Sequence, residues 1–317
     1  MVRAVYTLRG AGMAAIDRII ASGANRVGLS RAAVARMVKA RRSLAHLGTV
    51  RERRQLARTL EGHSAWTTFM PQELGYARLD AARFPGLDDA VAAGRSIVAE
   101  REAGALRGFE SAKKPFFFNV LTPDDLTRWP ALLGFALSPA IVEAATAYLR
   151  TVPRLHGFGV YLSGTNDSTI SSQEFHRDED AFHQVKCFVN LEDVGPDTGP
   201  FTFLPAGVTE RVCRAVGRGW GSGRYSDAEV LAAAAPDAPI ALTGPAGTGA
   251  LVDTSRCLHF GSRTRHGRRA VLMFQFLPVP DVLLDKDKAY PAGYPLMEFP
   301  RAAAGDGLRA LVLAPRG

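Results

Sequence analysis

The residues best suited to chemistry cluster in Glu174-Phe175-His176-Arg177-Asp178-Glu179-Asp180, and a further histidine, His259, follows about 80 residues later. Residues two apart on an extended strand share a side, so His176 and Asp178 can grip one ion together. A later strand has to bring His259 to the third corner. Two imidazoles and one carboxylate on one face of an octahedron form the donor set for non-haem Fe(II), with the opposite face open to ligands and O2. Seven histidines in 317 residues produce isolated His-x-Asp pairs by chance, and a solvated acidic turn is the plain alternative. Rival ligands also stand close by. Glu174 has the parity of Asp178, Glu179 and Asp180 adjoin it, and His183 follows a turn, where a loop histidine is the simpler reading.

The surroundings narrow these choices. A strand-like run, Gln184 to Leu191, leads through Glu192-Asp193-Val194 to a turn at Gly195-Pro196-Asp197-Thr198-Gly199-Pro200 and a short strand, Phe201 to Pro205. Further on, Gly247 to Asp253 leads to Cys257-Leu258-His259-Phe260-Gly261-Ser262, and a basic loop ends in Arg268-Arg269-Ala270-Val271-Leu272-Met273-Phe274-Gln275-Phe276. From about Pro115 to Pro280 this order resembles the phytanoyl-CoA dioxygenase family of Fe(II)/2-oxoglutarate oxygenases. The chain departs from that pattern in three places. Leu204-Pro205-Ala206-Gly207 lacks the usual Ser-His, Phe260 stands between the distal histidine and Gly-Ser, and the first 110 or so residues match no known pattern.

The resemblance implies a mainly β fold with flanking helices: a double-stranded β-helix (a cupin-type jelly roll) with N-terminal helices packed outside it. It implies His176, Asp178 and His259 as ligands of Fe(II), 2-oxoglutarate as cosubstrate, and O2 as oxidant. The expected activity is hydroxylation of an unactivated carbon with release of succinate and CO2. Related halogenases lack the carboxylate ligand, so Asp178 favours hydroxylation. The far carboxylate of 2-oxoglutarate calls for an arginine fork, and the family places it where the last strand opens, at Arg268 or Arg269. A small residue follows two positions after that arginine in the family, which favours Arg268 with Ala270, whereas the spacing from His259 suits Arg269. Ser262 is expected to add a hydroxyl at the same end. Gln173 is expected near the metal or cosubstrate, and Phe182 over the cosubstrate, although a lone phenylalanine is more often core.

Composition sets the limits. An apolar fraction of 47% suits a packed core and excludes a mostly disordered chain. No uninterrupted apolar run of membrane-spanning length is seen, and Met1 to Met13 lacks the apolar centre of a signal peptide. Three cysteines without Cys-x-x-Cys spacing read as buried thiols in a reducing cytoplasm. Of the net charge of +8, residues 1–60 hold 13 Lys/Arg against two acids. That segment is about +11 and the remainder about −3. A basic arm bears on partners rather than on fold. A small-molecule or carrier-bound substrate, with anionic ones included, leads. A non-catalytic jelly-roll binder and an oxygenase acting on nucleic acid are the competing classes.

Two regions are expected: a basic helical segment, 1–110, and an oxygenase domain, 111–317, with an insert at about 208–238. Helices are expected at 12–22, from the Ser30 cap to Ala45, at Arg51–Leu60 and at Asp88–Arg107. Thr122-Pro123-Asp124-Asp125 and Ser138-Pro139 each start another. From His156 the period changes to strands, including one over Thr169–Phe175. Gly217 to Arg224 reads as a lid or substrate loop carrying Trp220, and the tail ends in a short helix, Gly307–Leu313.

Overall fold

The structure, a computed structural model, describes residues 16–17, 28–60, 65–108, 116–281 and 311–312. In chain order it runs α1 (Arg31–Ala45), α2 (Leu47–Leu60), β1 (Tyr76–Arg78), α3 (Leu87–Gly108), β2 (Phe118–Asn119), α4 (Pro123–Arg128), α5 (Pro130–Ala136), α6 (Pro139–Leu149) and β3 (Arg154–Gly164). There follow β4 (Phe175–His176), β5 (Val185–Asn190), β6 (Thr202–Phe203), α7 (Ala206–Val216), β7 (Arg224–Tyr225), α8 (Asp227–Ala234), β8 (Ile240–Ala241), β9 (Gly249–Val252), β10 (His259–Phe260) and β11 (Arg268–Leu277). Of the expected terminal helices, only Ile16–Asp17 and residues 311–312 are described, both helical. The rest of 12–22 and 307–313 lies outside the described residues.

The strands form two antiparallel sheets, ordered β1-β9-β5-β11-β3-β2 and β7-β4-β10-β6-β8. Strand parity divides the larger sheet into two faces. Phe158, Val160, Leu162, Val185, Cys187, Val189, Ala270, Leu272 and Phe274 turn outward onto α3, α5 and α6. Phe274 sits against Phe135 of α5 and Phe158 of β3, with ring centroids 6.0 and 5.7 Å away. Burying each such ring contributes roughly 1.5–3 kcal/mol. The other face, with Tyr161, Phe188, Ala250, Val252 and Val271, meets Phe201, Phe203 and Leu242 of the smaller sheet. Phe188 stacks on Phe201 at 3.9 Å and joins the layers. The site lies in this inner layer.

The helix starts follow their local chemistry. Ser30 accepts from the Ala33 amide at 3.3 Å. Thr122 and Asp125 form a reciprocal cap, which Arg101 of α3 ties down through an ion pair to Asp125. Residues 130–149 are together long and apolar enough to cross a membrane. The break at Leu137-Ser138 splits them into α5 and α6, and 72% of the apolar window is buried in the core.

Three described elements before residue 109 contact the sheets or their connections. β1 extends the large sheet by pairing with β9, and α3 packs on β3 and β11. From α2, the buried Arg53 donates to the carbonyls of Val152 and Pro153 at 3.0 and 3.2 Å. The expected strand over Thr169–Phe175 is instead a 3-10 turn at Ser171–Gln173 followed by the two-residue β4. Ser171, at φ 58°, breaks the extended run.

Candidate metal centre

His176 and His259 are directly opposed in the β4–β10 pairing, with ring centroids 4.3 Å apart. Asp178 completes a group whose donor atoms all lie within 4.8 Å of one another. Each imidazole Nδ1 faces a backbone carbonyl, Glu174 O at 2.8 Å and Cys257 O at 2.9 Å. A carbonyl only accepts, so Nδ1 carries the proton and the Nε2 lone pair of each ring is left for a ligand bond. Asp178 lies beyond the end of β4 and is held by other means. Its amide donates to Thr254 O at 2.9 Å, and its Oδ2 accepts from Lys186 Nζ at 2.7 Å and Gln184 Nε2 at 3.0 Å.

The charges suit a cation. Burial alone would raise the Asp178 carboxyl, but the Lys186 ammonium holds it well below the usual carboxylate range. Burial pushes His259 down to about 3, aided by His176. Burial also lowers His176, outweighing the attraction of Asp178. The three ligand residues are therefore an anion and two neutral imidazoles, the protonation states that bind metal.

The rival ligands are engaged elsewhere. Glu179 pairs with Arg31 at 2.6 Å, and Glu174 with Arg224 at 3.5 Å. Asp180 accepts from Gln275 at 3.0 Å, and His183 faces Asp253 at 3.2 Å.

The residues expected around a cosubstrate separate. Arg268 turns to the outer face and is ion-paired to Glu192. Arg269 shares the parity of Val271, Met273 and Gln275 and points inward, 2% exposed. It has no hydrogen-bond or ion-pair partner among the described residues, and its Nε is buried without one. Burial pushes its guanidinium down to about 10. A Cβ built on Gly261, two residues past His259, would stand 3.4 Å from Arg269 Nη1. On strand register Arg269 is the arginine on the inner face, while Arg268, favoured by the small residue two positions on, lies on the outer one.

Ser262 is buried at φ 62°, a left-handed conformation that costs a non-glycine residue about 1–3 kcal/mol. Its hydroxyl accepts from Ser163 Oγ at 3.0 Å. Its carbonyl accepts from Gln173 Nε2 at 2.8 Å and Asn166 Nδ2 at 3.1 Å. Gln173 is completely buried, and its amide is spent on this loop, with Ser168 and Ile170 bonded to its oxygen. It shapes the loop after His259 and does not face the metal ligands. Phe182 packs on Trp220 at 4.7 Å and lies under the Lys39 ammonium at 5.6 Å. Phe260, odd in the sequence pattern, is the outward residue of β10, edge-on to Phe175 at 4.7 Å.

Sequence reading missed Lys186, Gln184 and Gln275. Gln184 Nε2 bonds Asp178 and Thr254 Oγ1, while its Oε1 accepts from Gln275. A lysine inside the apolar strand Val185–Asn190 was the available signal. The inner wall is completed by Tyr161, stacked on Phe117 at 4.3 Å. A side chain at Gly159 would collide with that tyrosine ring at 2.5 Å. The segment expected as an insert also adds β7 to the small sheet, pairing His176 with Arg224.

No protein-family model matches the chain, and no curated protein matches it. Among solved structures it is similar to the non-heme alpha ketoglutarate dependent carbocyclase SnoK from nogalamycin biosynthesis. That match has 15% identity, covers 68% of this chain and 84% of that one, and has a TM-score of 0.42. The epimerase SnoN in complex with Fe3+, alpha ketoglutarate and nogalamycin RO matches at 17% identity, 72% and 85% coverage and TM-score 0.41. EctD from S. alaskensis with bound Fe matches at 18% identity, 68% and 77% coverage and TM-score 0.43. Likeness at these scores adds no weight to a functional reading, which rests on the residues described above.

Proposed function

We propose that this chain is an Fe(II)/2-oxoglutarate-dependent oxygenase on a cupin-type jelly roll, akin to the phytanoyl-CoA dioxygenase family, that hydroxylates an unactivated carbon of a small molecule. The observation that carries the reading is an inner layer between the two sheets that holds both a His176/Asp178/His259 donor set and a buried guanidinium, Arg269, without a counter-ion among the described residues. Two neutral imidazoles and one carboxylate match the donor chemistry of non-haem iron and leave positions for other ligands. A lone buried cation is costly unless an anion meets it, and a dicarboxylate cosubstrate brings one.

Iron(II) with 2-oxoglutarate and O2 supplies the oxidising chemistry, with succinate and CO2 as coproducts. The chain's own residues bind, orient and exclude water. The Glu174 and Cys257 carbonyls fix the imidazole tautomers, while Lys186 and Gln184 keep the Asp178 carboxylate ionised and aimed. Arg269 would hold the distal carboxylate of 2-oxoglutarate, and Ser163, its cross-strand neighbour, bonds the Ser262 hydroxyl. Tyr161, Phe117, Phe188 and Phe201 keep the inner layer dry, which strengthens each of these electrostatic contacts.

An anaerobic titration of the full chain with Fe(II) and then 2-oxoglutarate, followed by visible absorption, tests this. A weak metal-to-ligand charge-transfer band is expected in the wild type and absent in Asp178→Ala. A wild type that binds neither component refutes the reading.

A further inference from the structure

A second polar cavity lies away from the metal ligands. It has a volume of about 440 Å³ and is lined by Lys39 of α1, Arg54 and Arg58 of α2, Arg150 and Thr151 after α6, and the Pro278–Pro280 segment after β11. Four of these side chains are cationic and none is acidic. Arg54 and Arg58 are one helical turn apart, so their side chains lie on the same face. Burial, with the Arg54 guanidinium beside it, pushes the Lys39 ammonium down, as expected where cations crowd without an anion. The nearby carboxylate of Asp281 is already bound by Arg42 and Arg154. Thr151 is 5% exposed, and its hydroxyl has no hydrogen-bond partner among the described residues. Arg150 ends α6 as its left-handed cap at φ 53°, a common way for a helix to stop.

The cavity is coupled to the metal centre by the loop that follows Asp178. Ala181 packs against Leu277, immediately before the Pro278–Pro280 lining. Phe182, four residues from Asp178, lies under Lys39 and also within 5.9 Å of the Arg36 guanidinium. Its other neighbour is Trp220. Phe182 thus links Lys39, which lines the cavity, to the loop that begins at Asp178.

We propose that this cavity binds the phosphate group of a small phosphate-ester substrate, whose organic part extends along Phe182 and Trp220 to the metal centre. Three arginines and a lysine supply charge-assisted donors, and the Thr151 hydroxyl supplies a neutral one. The anion site stands on these residues alone, while its assignment to the substrate rests on the oxygenase reading.

Calorimetric titration of inorganic pyrophosphate into the full chain at low salt tests the site. Saturable binding at one site is expected. Arg54→Gln/Arg58→Gln should weaken it by roughly tenfold or more, and Arg150→Asn, which keeps the left-handed preference, should weaken it independently. Asp178→Ala should leave it unchanged. Absent binding, or equal affinity in folded variants, overturns the proposal. So does a duplex oligonucleotide that binds more tightly than pyrophosphate and survives the double substitution. Pyrophosphate binding without any Fe(II)/2-oxoglutarate absorption band would keep the anion site and remove the oxygenase reading.

Discussion

Lys186 Nζ lies 2.7 Å from Asp178 Oδ2, and both side chains are largely buried, 14% and 15% exposed. The carboxylate therefore meets a metal already ionised and held in place. Asp178→Ala removes a ligand and strands the Lys186 charge, so Co(II) or Fe(II) binding should fall below detection in equilibrium dialysis. Glu179→Ala, which removes only a partly exposed pair with Arg31, should leave metal affinity within about twofold. Metal held equally well by Asp178→Ala would refute the ligand set.

The two adjacent arginines should separate in kinetics. Arg269→Gln is expected to raise the apparent KM for 2-oxoglutarate about 30-fold or more, since losing a buried charge-assisted contact costs roughly 2–5 kcal/mol. Arg268→Gln breaks an ion pair with Glu192 that is about a third exposed; it should cost at most about 1 kcal/mol of stability and leave KM near wild type. The reverse pattern would mean that the strand register is shifted by one residue.

The histidines set the pH response. Their folded pKa values are lowered, that of His259 to about 3, so both stay neutral where an ordinary imidazole, near 6.5, would protonate. Co(II) affinity should change little between about pH 7.5 and 5.5, then fall as the pH drops through the lowered values. In the metal-free protein the unfolded chain takes up these protons first. Stability is then complete above about pH 6.5 and is lost as the pH falls below it. Urea midpoints at the two pH values measure this, and a midpoint higher at pH 5.5 would contradict it.

Gln173 is expected to act on stability and site shape together. Gln173→Ala strands Ser168, Asn166, the Ile170 amide and the Ser262 carbonyl, each of which it bonds. Only the bond to the Ser262 carbonyl is fully buried, and a stranded buried partner costs roughly 1–3 kcal/mol, so a loss of about that size in urea unfolding is expected. Gln173→Glu keeps the acceptor but loses the donor to Ser262 and should be intermediate.

The clustering of His176, Asp178 and His259 was legible because their types and order are rare together, and the helix starts because Ser30 and the Thr122-Pro123 pair act over one turn. The arginine register was not legible. β11 is buried on both faces, so Ala270, Leu272 and Phe274 alternate with Val271, Met273 and Gln275 without a clear polar side. Only the pairing of Val271 with Asn190 and Tyr161 fixes which set faces in. Nor could local sequence place β7, which exists because β4 offers it an edge. Phe182 sits under α1, a tertiary contact with no trace in the spacing of the motif.

The three cysteines, all buried, give the protein its own unfolding clock. Cys187 adjoins Lys186, Cys257 is two residues from His259, and Cys213 lies on α7. Burial pushes the Cys187 and Cys257 thiols upward, so neither offers a thiolate to reagents while the sheets stay closed. Alkylation timed against each thiol would then reveal whether the large sheet, the metal strand or the outer helix parts first, with no label introduced.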